Sequence, residues 1–148
     1  MKIVLQRVRR AGVEVEGKTV GRINQGLLLL VGVTHADTRK EADFLAEKCL
    51  NLRIFEDANG KMNLSALDIQ GEILAVSQFT LYGDTSRGRR PGFDQAAKPD
   101  YAVEHFDYFV DQLRLSGLRT ETGIFGADMR VELLNDGPVT FVLEKNAN

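Results

Sequence analysis

A continuous apolar segment, Leu27 to Val33, is the feature that most limits how this chain folds. Its length is that of a β-strand, and it contains no charged or polar side chain that would mark a solvent-facing side. A strand of this kind is buried on both faces, like the inner strands of layered α/β sheets. The segment therefore predicts a sheet whose centre is covered by other elements of the chain.

Two helices are predicted to provide that cover. Thr38 to Glu41 has the spacing of a capping box, so a helix should begin there and run to about Leu52. Pro99 suits the first turn of a second helix, which should end near Gly117.

Strand and turn patterns fill most of the remaining sequence. Val13 to Glu16 alternates apolar and charged residues, a turn follows at Gly17-Lys18, and residues 19–23 form the returning strand. Asn59-Gly60 is typical of a hairpin turn, and residues 119–144 are predicted to contain two or three further strands. We therefore predict an α/β fold: a single layered domain over residues 1–148, with a mixed β-sheet and two covering helices.

Length and cysteine content indicate how many domains the chain forms and in which redox environment it works. The 148 residues are the size of one domain. The longest apolar run is too short to cross a bilayer and no charged-then-apolar leader opens the chain, so we expect no membrane partner. The single cysteine, Cys49, cannot close an intrachain disulfide, which favours a reducing, cytoplasmic setting.

The net charge of −2 argues against a protein that holds nucleic acid mainly by neutralising phosphates. The charge is unevenly distributed, however. Residues 1–22 carry six basic and two acidic side chains, and residues 84–98 carry four and two. The segments 23–83 and 99–148 are both acidic overall, so two short segments hold the excess positive charge.

One motif match is rejected on physical grounds. Residues 12–19 fit the phosphate-loop pattern G-x-x-x-x-G-K-[ST] letter for letter. That motif binds phosphate only where a strand precedes the loop and a helix follows it. Here the variable positions alternate like a strand, and no helical pattern follows Thr19. We predict a hairpin turn at these residues and no nucleotide site.

Conventional catalytic groups are scarce. The two histidines are interpreted as a loop residue, His35, and a helix surface residue, His105, because lone histidines are common. Cys49 lies on the apolar stripe of the first helix, which indicates a buried structural thiol. No set of His, Cys and carboxylate residues has metal-ligand spacing, so we expect neither a metal nor another cofactor.

Residues 72–82 combine a strand pattern with misplaced polar groups. They alternate over the whole segment, which predicts one long central strand. Polar side chains nevertheless occur on both faces: Ser77 on one, Gln78 and Thr80 on the other. Buried polar groups need hydrogen-bond partners or a function. Bonds to neighbouring backbone satisfy these three equally well, so the pattern alone leaves both interpretations open.

Pro138 stands at an unusual place, in the segment Asn135 to Phe141. It is predicted to open a strand, and because it has no N–H to donate, it belongs at a sheet edge or a strand start. About 5–6% of X–Pro bonds in folded proteins are cis, so the isomer of the Gly137–Pro138 bond stays open. The simple interpretation of the segment is a turn.

These last two segments carry a family resemblance. Ser77 to Tyr82 and Asn135 to Thr140 resemble the two signature motifs of the D-aminoacyl-tRNA deacylases, also called D-tyrosyl-tRNA deacylases. The likeness extends over nearly the whole chain, from Met1 to about Glu144, and includes the segment Phe125 to Met129. Two motifs at the right separation in a chain of family length make the match specific.

The resemblance implies an enzyme that hydrolyses the ester between a D-amino acid and the terminal adenosine of tRNA, a chiral proofreading step in translation. Glycine mischarged on alanine tRNA is also expected as a substrate. The resemblance further implies a homodimer with active sites at the subunit interface. In that arrangement Gly137 and Pro138, joined by a cis bond, enter the partner's pocket. Their carbonyls meet the α-amino group, and their bulk excludes an L side chain.

The residues implied at the site suit this chemistry. An aminoacyl ester is already activated, so catalysis needs mainly a positioned water and a stabilised oxyanion. Backbone amides around Phe79 and Thr80 are expected to form the oxyanion hole, and Ser77 and Gln78 to orient the substrate. The family likeness implies that the adenosine 2′-hydroxyl assists the water. Whether Thr80 is a nucleophile or lines the site stays open, and lining is favoured because no base is visible to activate it.

The resemblance also implies residues that bind the substrate and the tRNA. Phe125 and Met129 are expected to join Gly137 and Pro138 in binding the substrate. The contacts expected at the tRNA acceptor end are Arg87, Arg89 and Arg90 first, then Arg7, Arg9 and Arg10. A solvated basic loop explains the first three equally well. The rival function is a non-catalytic, dimeric RNA- or nucleotide-binding module that uses the basic segments alone.

Overall fold

Eight strands and three α-helices follow one another along residues 1–148, all of which the computed structural model describes. The strands are β1 (Lys2–Val15), β2 (Lys18–Ile23), β3 (Gly26–Gly32), β4 (Phe55–Glu56), β5 (Met62–Leu64), β6 (Glu72–Ser77), β7 (Thr120–Thr122) and β8 (Arg130–Glu144). The helices are α1 (Arg39–Asn51), α2 (Ala66–Ile69) and α3 (Pro99–Arg114), and a 3₁₀ turn spans Phe79–Tyr82. The α/β prediction is confirmed. The additional helix, α2, is a single turn and too short to show a helical period in the sequence.

The large sheet is mixed, as predicted. β1 runs antiparallel to β2 and β3 along one edge and to β8 along the other. β6 joins β3 in parallel, and β7 joins β6 in parallel. β3 therefore lies inside the sheet, and its residues Leu27, Leu28 and Leu29 are fully buried. The prediction of a central strand covered on both faces is confirmed.

The two long helices cover one face of this sheet. α1 begins at a capping box in which the Glu41 carboxylate accepts from the Thr38 N–H at 2.6 Å, and Pro99 occupies the first turn of α3. Both helices pack on the side of β3 that carries Leu27 and Leu29. On the other side, β1 folds over the sheet and forms a second, smaller core: Val8, Ala11, Val13, Ile23, Leu28, Leu74 and Val76.

The residues of the rejected phosphate-loop match are the end of β1, a turn at Glu16-Gly17 and the start of β2. No helix follows them, so the prediction of a hairpin turn is confirmed.

The long strand predicted over residues 72–82 is wrong in its second half. β6 ends at Ser77, which forms the last parallel pair with β3, opposite Val31. The Gln78 N–H donates to the Val31 carbonyl at 2.8 Å, and the chain then enters the 3₁₀ turn at Phe79. The alternating pattern continues past Ser77 although the pairing with β3 does not, and the sequence does not reveal where that pairing stops.

Pro138 does not open a strand. It lies inside β8, the edge strand beside β1. Gln6 pairs with Thr140 and Val8 pairs with Asn135, so residues 136–139, here called the β8 bulge, stand opposite the single residue Arg7. A bulge accommodates proline because the ladder of hydrogen bonds is interrupted there. The predicted edge position is confirmed, and the Gly137–Pro138 bond is cis.

Gly26 is a position where the fold admits no side chain. A Cβ built there would lie 1.8 Å from the Glu72 carbonyl oxygen, where β3 and β6 begin side by side. We expect Gly26→Ala to lower the free energy of unfolding by about 2–3 kcal/mol, because one strand must move to relieve the overlap. In the control Gly12→Ala, the new Cβ meets only the Gly21 oxygen at 3.6 Å, and stability should change by no more than about 0.5 kcal/mol. Urea denaturation measures the stability of both variants. Equal free energies of unfolding for Gly26→Ala and Gly12→Ala would contradict the steric overlap at Gly26.

Candidate active site

A largely apolar cavity of about 520 Å³ lies at the carboxyl ends of β3 and β6. The ends of these strands supply one side of its lining, and residues 93–102 and 125–131 supply the rest. Among the residues predicted at the site, those lining the cavity are Ser77, Gln78, Phe79, Phe125 and Met129. An apolar cavity with a few convergent polar groups is the usual form of a small-ligand site.

The change from strand to 3₁₀ turn places polar groups against this cavity. Ser77 ends β6, and the backbone bond from Gln78 to Val31 fixes the point at which the chain turns away. The turn packs directly on β3 at Gly32, where a Cβ would come within 3.1–3.2 Å of the Leu81 Cβ, the Gln78 oxygen and the Tyr82 ring. The absence of a side chain at this glycine therefore brings the turn close to the central strand.

Two adjacent backbone amides begin the 3₁₀ turn. The N–H groups of Phe79 and Thr80 donate to no acceptor in the chain, whereas the Gln78 N–H is bonded to Val31 and the Leu81 N–H to Gln78. Neighbouring donors held by a fixed backbone are the arrangement that stabilises an oxyanion.

The Thr80 hydroxyl has an amide for a neighbour. Its Oγ1 accepts a hydrogen bond from the Gln78 Nε2. An amide NH₂ cannot take up a proton, so this contact provides no base that would turn the hydroxyl into a nucleophile. Thr80 itself is exposed beside the cavity and does not line it.

Phe93 is a cavity residue that the sequence analysis missed. Its ring packs edge-on against Phe79 with centroids 5.1 Å apart, and both rings are partly exposed. An aromatic residue inside a loop rich in Gly and Arg was the available signal, since a purely solvated loop has no use for an exposed ring.

The basic loop is attached to the cavity through Phe93. The backbones of Asp84 and Gly92 pair across its base, and the exposed tip between them carries three predicted RNA contacts: Arg87, Arg89 and Arg90. The predicted arginines thus stand on a short loop that closes next to a cavity residue.

The β8 bulge is held by Arg7. The Arg7 Nε donates to the Asp136 carbonyl at 2.9 Å, and its Nη1 donates to the Ile54 carbonyl at 2.7 Å. Arg7 is only 5% exposed, which corrects the expectation that it contacts RNA, because its guanidinium is used inside the chain. Gly137 and Pro138, by contrast, are exposed.

Asn135 is a second anchor that the sequence analysis did not single out. Its Oδ1 accepts from the Val139 N–H at 2.9 Å, and its Nδ2 donates to the Val139 carbonyl at 3.0 Å. These bonds close the base of the bulge, so the exposed Gly137 and Pro138 project from a fixed frame.

One chain does not bring the bulge and the cavity together. Arg7, which faces the bulge, pairs with Leu27 at the amino end of β3, whereas the cavity begins at Val31 near the carboxyl end. Gly137 and Pro138 line no part of it. The two predicted halves of the site therefore lie toward opposite ends of the central strand.

The histidines and the cysteine lie outside the cavity. His105 is buried, not on the helix surface as predicted, because it stacks on Tyr101 and its Nδ1 lies 2.9 Å from the Tyr101 carbonyl. His35 is a loop residue, as interpreted, with its Nε2 2.6 Å from the Asp94 carbonyl. Cys49 is buried, as predicted, and burial raises the pKa of its thiol to about 12.

The Tyr82 hydroxyl is buried without a hydrogen-bond partner. Burial, aided by the negative charges of Asp37 and Glu144, raises the pKa of Tyr82 above the ordinary value of a phenol. An unpaired buried hydroxyl costs about 1–3 kcal/mol. We therefore expect Tyr82→Phe to be at least as stable as the parent in urea denaturation. A loss of more than about 1 kcal/mol would mean that the hydroxyl has a partner in solution.

No group of three or more His, Cys, Asp or Glu side chains is placed to hold a metal ion, and no helix is long and apolar enough to cross a membrane.

Two known proteins are similar to this chain over nearly its whole length. The chain is 61% identical over 148 residues to the D-aminoacyl-tRNA deacylase of Geotalea uraniireducens (strain Rf4), covering all of this chain and 96% of the relative. It is 58% identical over 144 residues to that of Bacillus cereus (strain B4264), covering 97% and 99% of the two chains.

Two solved structures share the fold. One, described as c-Myc DNA Unwinding Element Binding Protein, is 44% identical with a TM-score of 0.93 over 99% of this chain and 100% of that one. The other, described as a probable eukaryotic D-amino acid tRNA deacylase, is 19% identical with a TM-score of 0.84 over 96% and 97%. The family model for D-Tyr-tRNA(Tyr) deacylase matches residues 4–144, and the chain therefore belongs to the D-Tyr-tRNA(Tyr) deacylase family.

Proposed function

We propose that this protein hydrolyses the ester that joins a D-amino acid to the terminal adenosine of tRNA, in the cytoplasm, as a chiral proofreading step. The observation that carries the proposal is an apolar cavity lined by Phe79, at the start of a turn in which the Phe79 and Thr80 amides are unpaired, on a chain of the deacylase family. Glycine mischarged on alanine tRNA is part of the same proposal, because an achiral residue has no side chain for a chiral filter to reject.

In the proposed mechanism, no side chain acts as a nucleophile or a general base. The aminoacyl ester is activated, and the negative charge that develops on its carbonyl oxygen is stabilised by the N–H groups of Phe79 and Thr80. Ser77 and Gln78, half-buried at the cavity, orient the substrate. The 2′-hydroxyl of the adenosine assists the attacking water, which accounts for a site built without a histidine base.

Thr80 is assigned as a residue beside the site and not as the nucleophile, because its hydroxyl faces the Gln78 amide. We expect Thr80→Ala to keep kcat within about tenfold of the parent, since the backbone N–H remains. Loss of a nucleophile costs far more, typically about 10⁴-fold or greater. Single-turnover hydrolysis of D-tyrosyl-tRNA measures the difference, and a loss of that size would reinstate Thr80 as the nucleophile.

A homodimer is proposed to complete the site. Since one chain holds the β8 bulge and the cavity apart, a second copy must supply the bulge that meets a given cavity. Exposed apolar side chains on the edge strand β8 suit such an interface: Leu134, Phe141 and Val142. The partner's bulge then presents its backbone carbonyls to the α-amino group and blocks an L side chain.

The RNA contacts are proposed at the tip of the basic loop. Arg87, Arg89 and Arg90 are exposed and lie on the loop that contributes Phe93 to the cavity. A local patch of this kind is compatible with a net charge of −2, because the enzyme needs to hold only one end of the RNA.

A second candidate is a nucleic-acid-binding module without catalysis. It is favoured by the solved structure that is 44% identical and described as a DNA unwinding element binding protein. Binding through basic segments alone gives no role to the apolar cavity or to the two amides, so this candidate ranks second.

The deciding experiment is release of labelled tyrosine from D-tyrosyl-tRNA and L-tyrosyl-tRNA by the purified protein. We expect hydrolysis of the D ester and protection of the L ester. Equal rates for the two esters would contradict chiral proofreading. Binding of tRNA without hydrolysis of either ester would favour the second candidate.

A further inference from the structure

The arginines that make no ion pair, hydrogen bond or aromatic stack within the chain fall into two groups. Other arginines are engaged by the fold, as Arg119 is by Glu72 and Glu121 and Arg39 by the Tyr108 ring. One unengaged group is the loop tip already described. The other consists of Arg10, Arg22 and Arg130, which together line a cleft of about 270 Å³. The fold itself makes no use of the charges in this second group.

Strand register builds the cleft. On the outer face of the sheet, Gly12 of β1 lies between Arg22 of β2 and Glu132 of β8. Two residues further along β1, and therefore on the same face, Glu14 lies between Thr19 of β2 and Arg130 of β8. Gly12 has no side chain, so the middle of this charged surface is a hollow with guanidinium and carboxylate groups around it.

The cleft lies behind the wall of the candidate active site. Side chains alternate along a strand, and here Met129 and Val131 line the apolar cavity while Arg130 and Glu132 line the cleft. A molecule in the cleft is therefore separated from the cavity by little more than the strand itself.

The side-chain chemistry selects the ligand. Guanidinium groups bind phosphates through paired N–H donors. The carboxylates of Glu14 and Glu132 repel a phosphate but accept a hydrogen bond from a ribose 2′-hydroxyl, the group that distinguishes RNA from DNA. Three arginines and two glutamates around one hollow thus match a ribose–phosphate backbone better than a free polyanion or a DNA strand.

We propose that this cleft binds the ribose–phosphate backbone of the tRNA close to its acceptor end, with the arginines on phosphates and the glutamates on 2′-hydroxyls. The proposal rests on the proposed action on aminoacyl-tRNA. It gives the enzyme a second RNA contact, on the opposite side of the cavity wall from the substrate. Arg10 was among the RNA contacts expected from the sequence, whereas Arg22 and Arg130 were not.

The test compares the double variant R22Q/R130Q with the control R39Q, which removes one charge from α1 outside both unengaged groups. For D-tyrosyl-tRNA, the double variant should raise KM about tenfold. It should also reduce the slope of log KM against the logarithm of the salt concentration by about 1–2, as expected for two lost phosphate contacts. The control should change neither. With the D-tyrosyl ester of adenosine alone, which is too short to reach the cleft, the double variant should retain the parent kcat/KM.

An unchanged KM and salt slope for D-tyrosyl-tRNA would overturn the proposal. So would conversion of the double variant to a monomer in sedimentation, because the cleft would then be an interface between copies of this chain. Failure of the parent protein to hydrolyse D-tyrosyl-tRNA at all would instead contradict the proposed function, so the two failures are distinguishable.

A measurement on the unaltered protein keeps the proposal testable if the variant does not fold. Uncharged tRNA should protect Arg22 and Arg130, but not Arg39, from phenylglyoxal, as read by mass spectrometry. Equal labelling with and without tRNA would overturn the site. Equal protection by a DNA strand of the same acceptor sequence would overturn the role given to Glu14 and Glu132.

Discussion

Replacing Phe79 by proline should lower kcat for D-tyrosyl-tRNA by about 10²–10³-fold relative to replacing it by alanine, because only proline removes the backbone N–H. The Phe79 N–H has no acceptor in the folded chain, so its loss should cost catalysis and not stability. Both variants lose the ring that packs on Phe93, and both should share any change in KM that the ring causes. The ratio of their kcat values therefore isolates the amide.

The local backbone makes this comparison feasible. Phe79 is the first residue of the 3₁₀ turn, a position where the φ of about −50 to −70° suits the proline ring. The preceding residue, Gln78, has φ −142° and ψ 82°, outside the helical region that a following proline disfavours. Thermal denaturation serves as the control for folding. Equal kcat values in two folded variants would contradict a role for this amide in the proposed oxyanion hole.

Local patterns in the sequence predicted the elements that local forces determine. The apolar run at Leu27, the capping box at Thr38 and Pro99 at a first helical turn all lie where they were expected. The strand ending at Ser77 was overextended because its end depends on a neighbouring strand, β3, whose pairing stops there. An alternating pattern shows on which face of the sheet each side chain lies. It does not show at which residue the neighbouring strand stops pairing.

The family resemblance, and not the strand pattern, named the residues of one short segment that lies at the cavity. Ser77, Gln78 and Phe79 are consecutive, and the structure places all three at the cavity. Phe93 was missed because its contact with Phe79 joins a loop to a turn fourteen positions earlier. A pattern within one segment carries no information on such a pairing.

Arg7 shows the same limit more clearly. As a basic residue near the start of the chain, it was expected on the surface with Arg9 and Arg10. Its two acceptors, the carbonyls of Ile54 and Asp136, come from segments far away in sequence. Burial of a charged side chain is tolerated only where such partners converge, and the sequence does not show that convergence.

That convergence leads to the prediction with the largest expected effect on selectivity. We expect Arg7→Met to raise hydrolysis of L-tyrosyl-tRNA relative to D-tyrosyl-tRNA by at least about tenfold, which corresponds to about 1.4 kcal/mol of lost discrimination. Methionine fills much of the same space but leaves the Asp136 and Ile54 carbonyls without their donor. The β8 bulge then loses the bond that fixes Gly137 and Pro138, and a mobile bulge is a poor barrier to an L side chain.

The same substitution should lower the free energy of unfolding by about 2–4 kcal/mol, since one buried and one partly buried carbonyl lose their donor. Arg119→Met is the matched control: Arg119 is 54% exposed, and its ion pairs with Glu72 and Glu121 contribute no more than about 1 kcal/mol. Both variants are assayed below their unfolding transitions, so that the ratio of L to D hydrolysis reports on the folded enzyme.

If Arg7→Met is destabilised but keeps the parent ratio, Arg7 supports only the fold, and the chiral filter does not depend on how the bulge is held. If the ratio of L to D hydrolysis rises in Arg7→Met and stays constant in Arg119→Met, a residue far from the chain's own cavity controls which enantiomer is hydrolysed. The bulge supplied by a second copy explains that result, because Arg7 lies toward the opposite end of β3 from the cavity of its own chain.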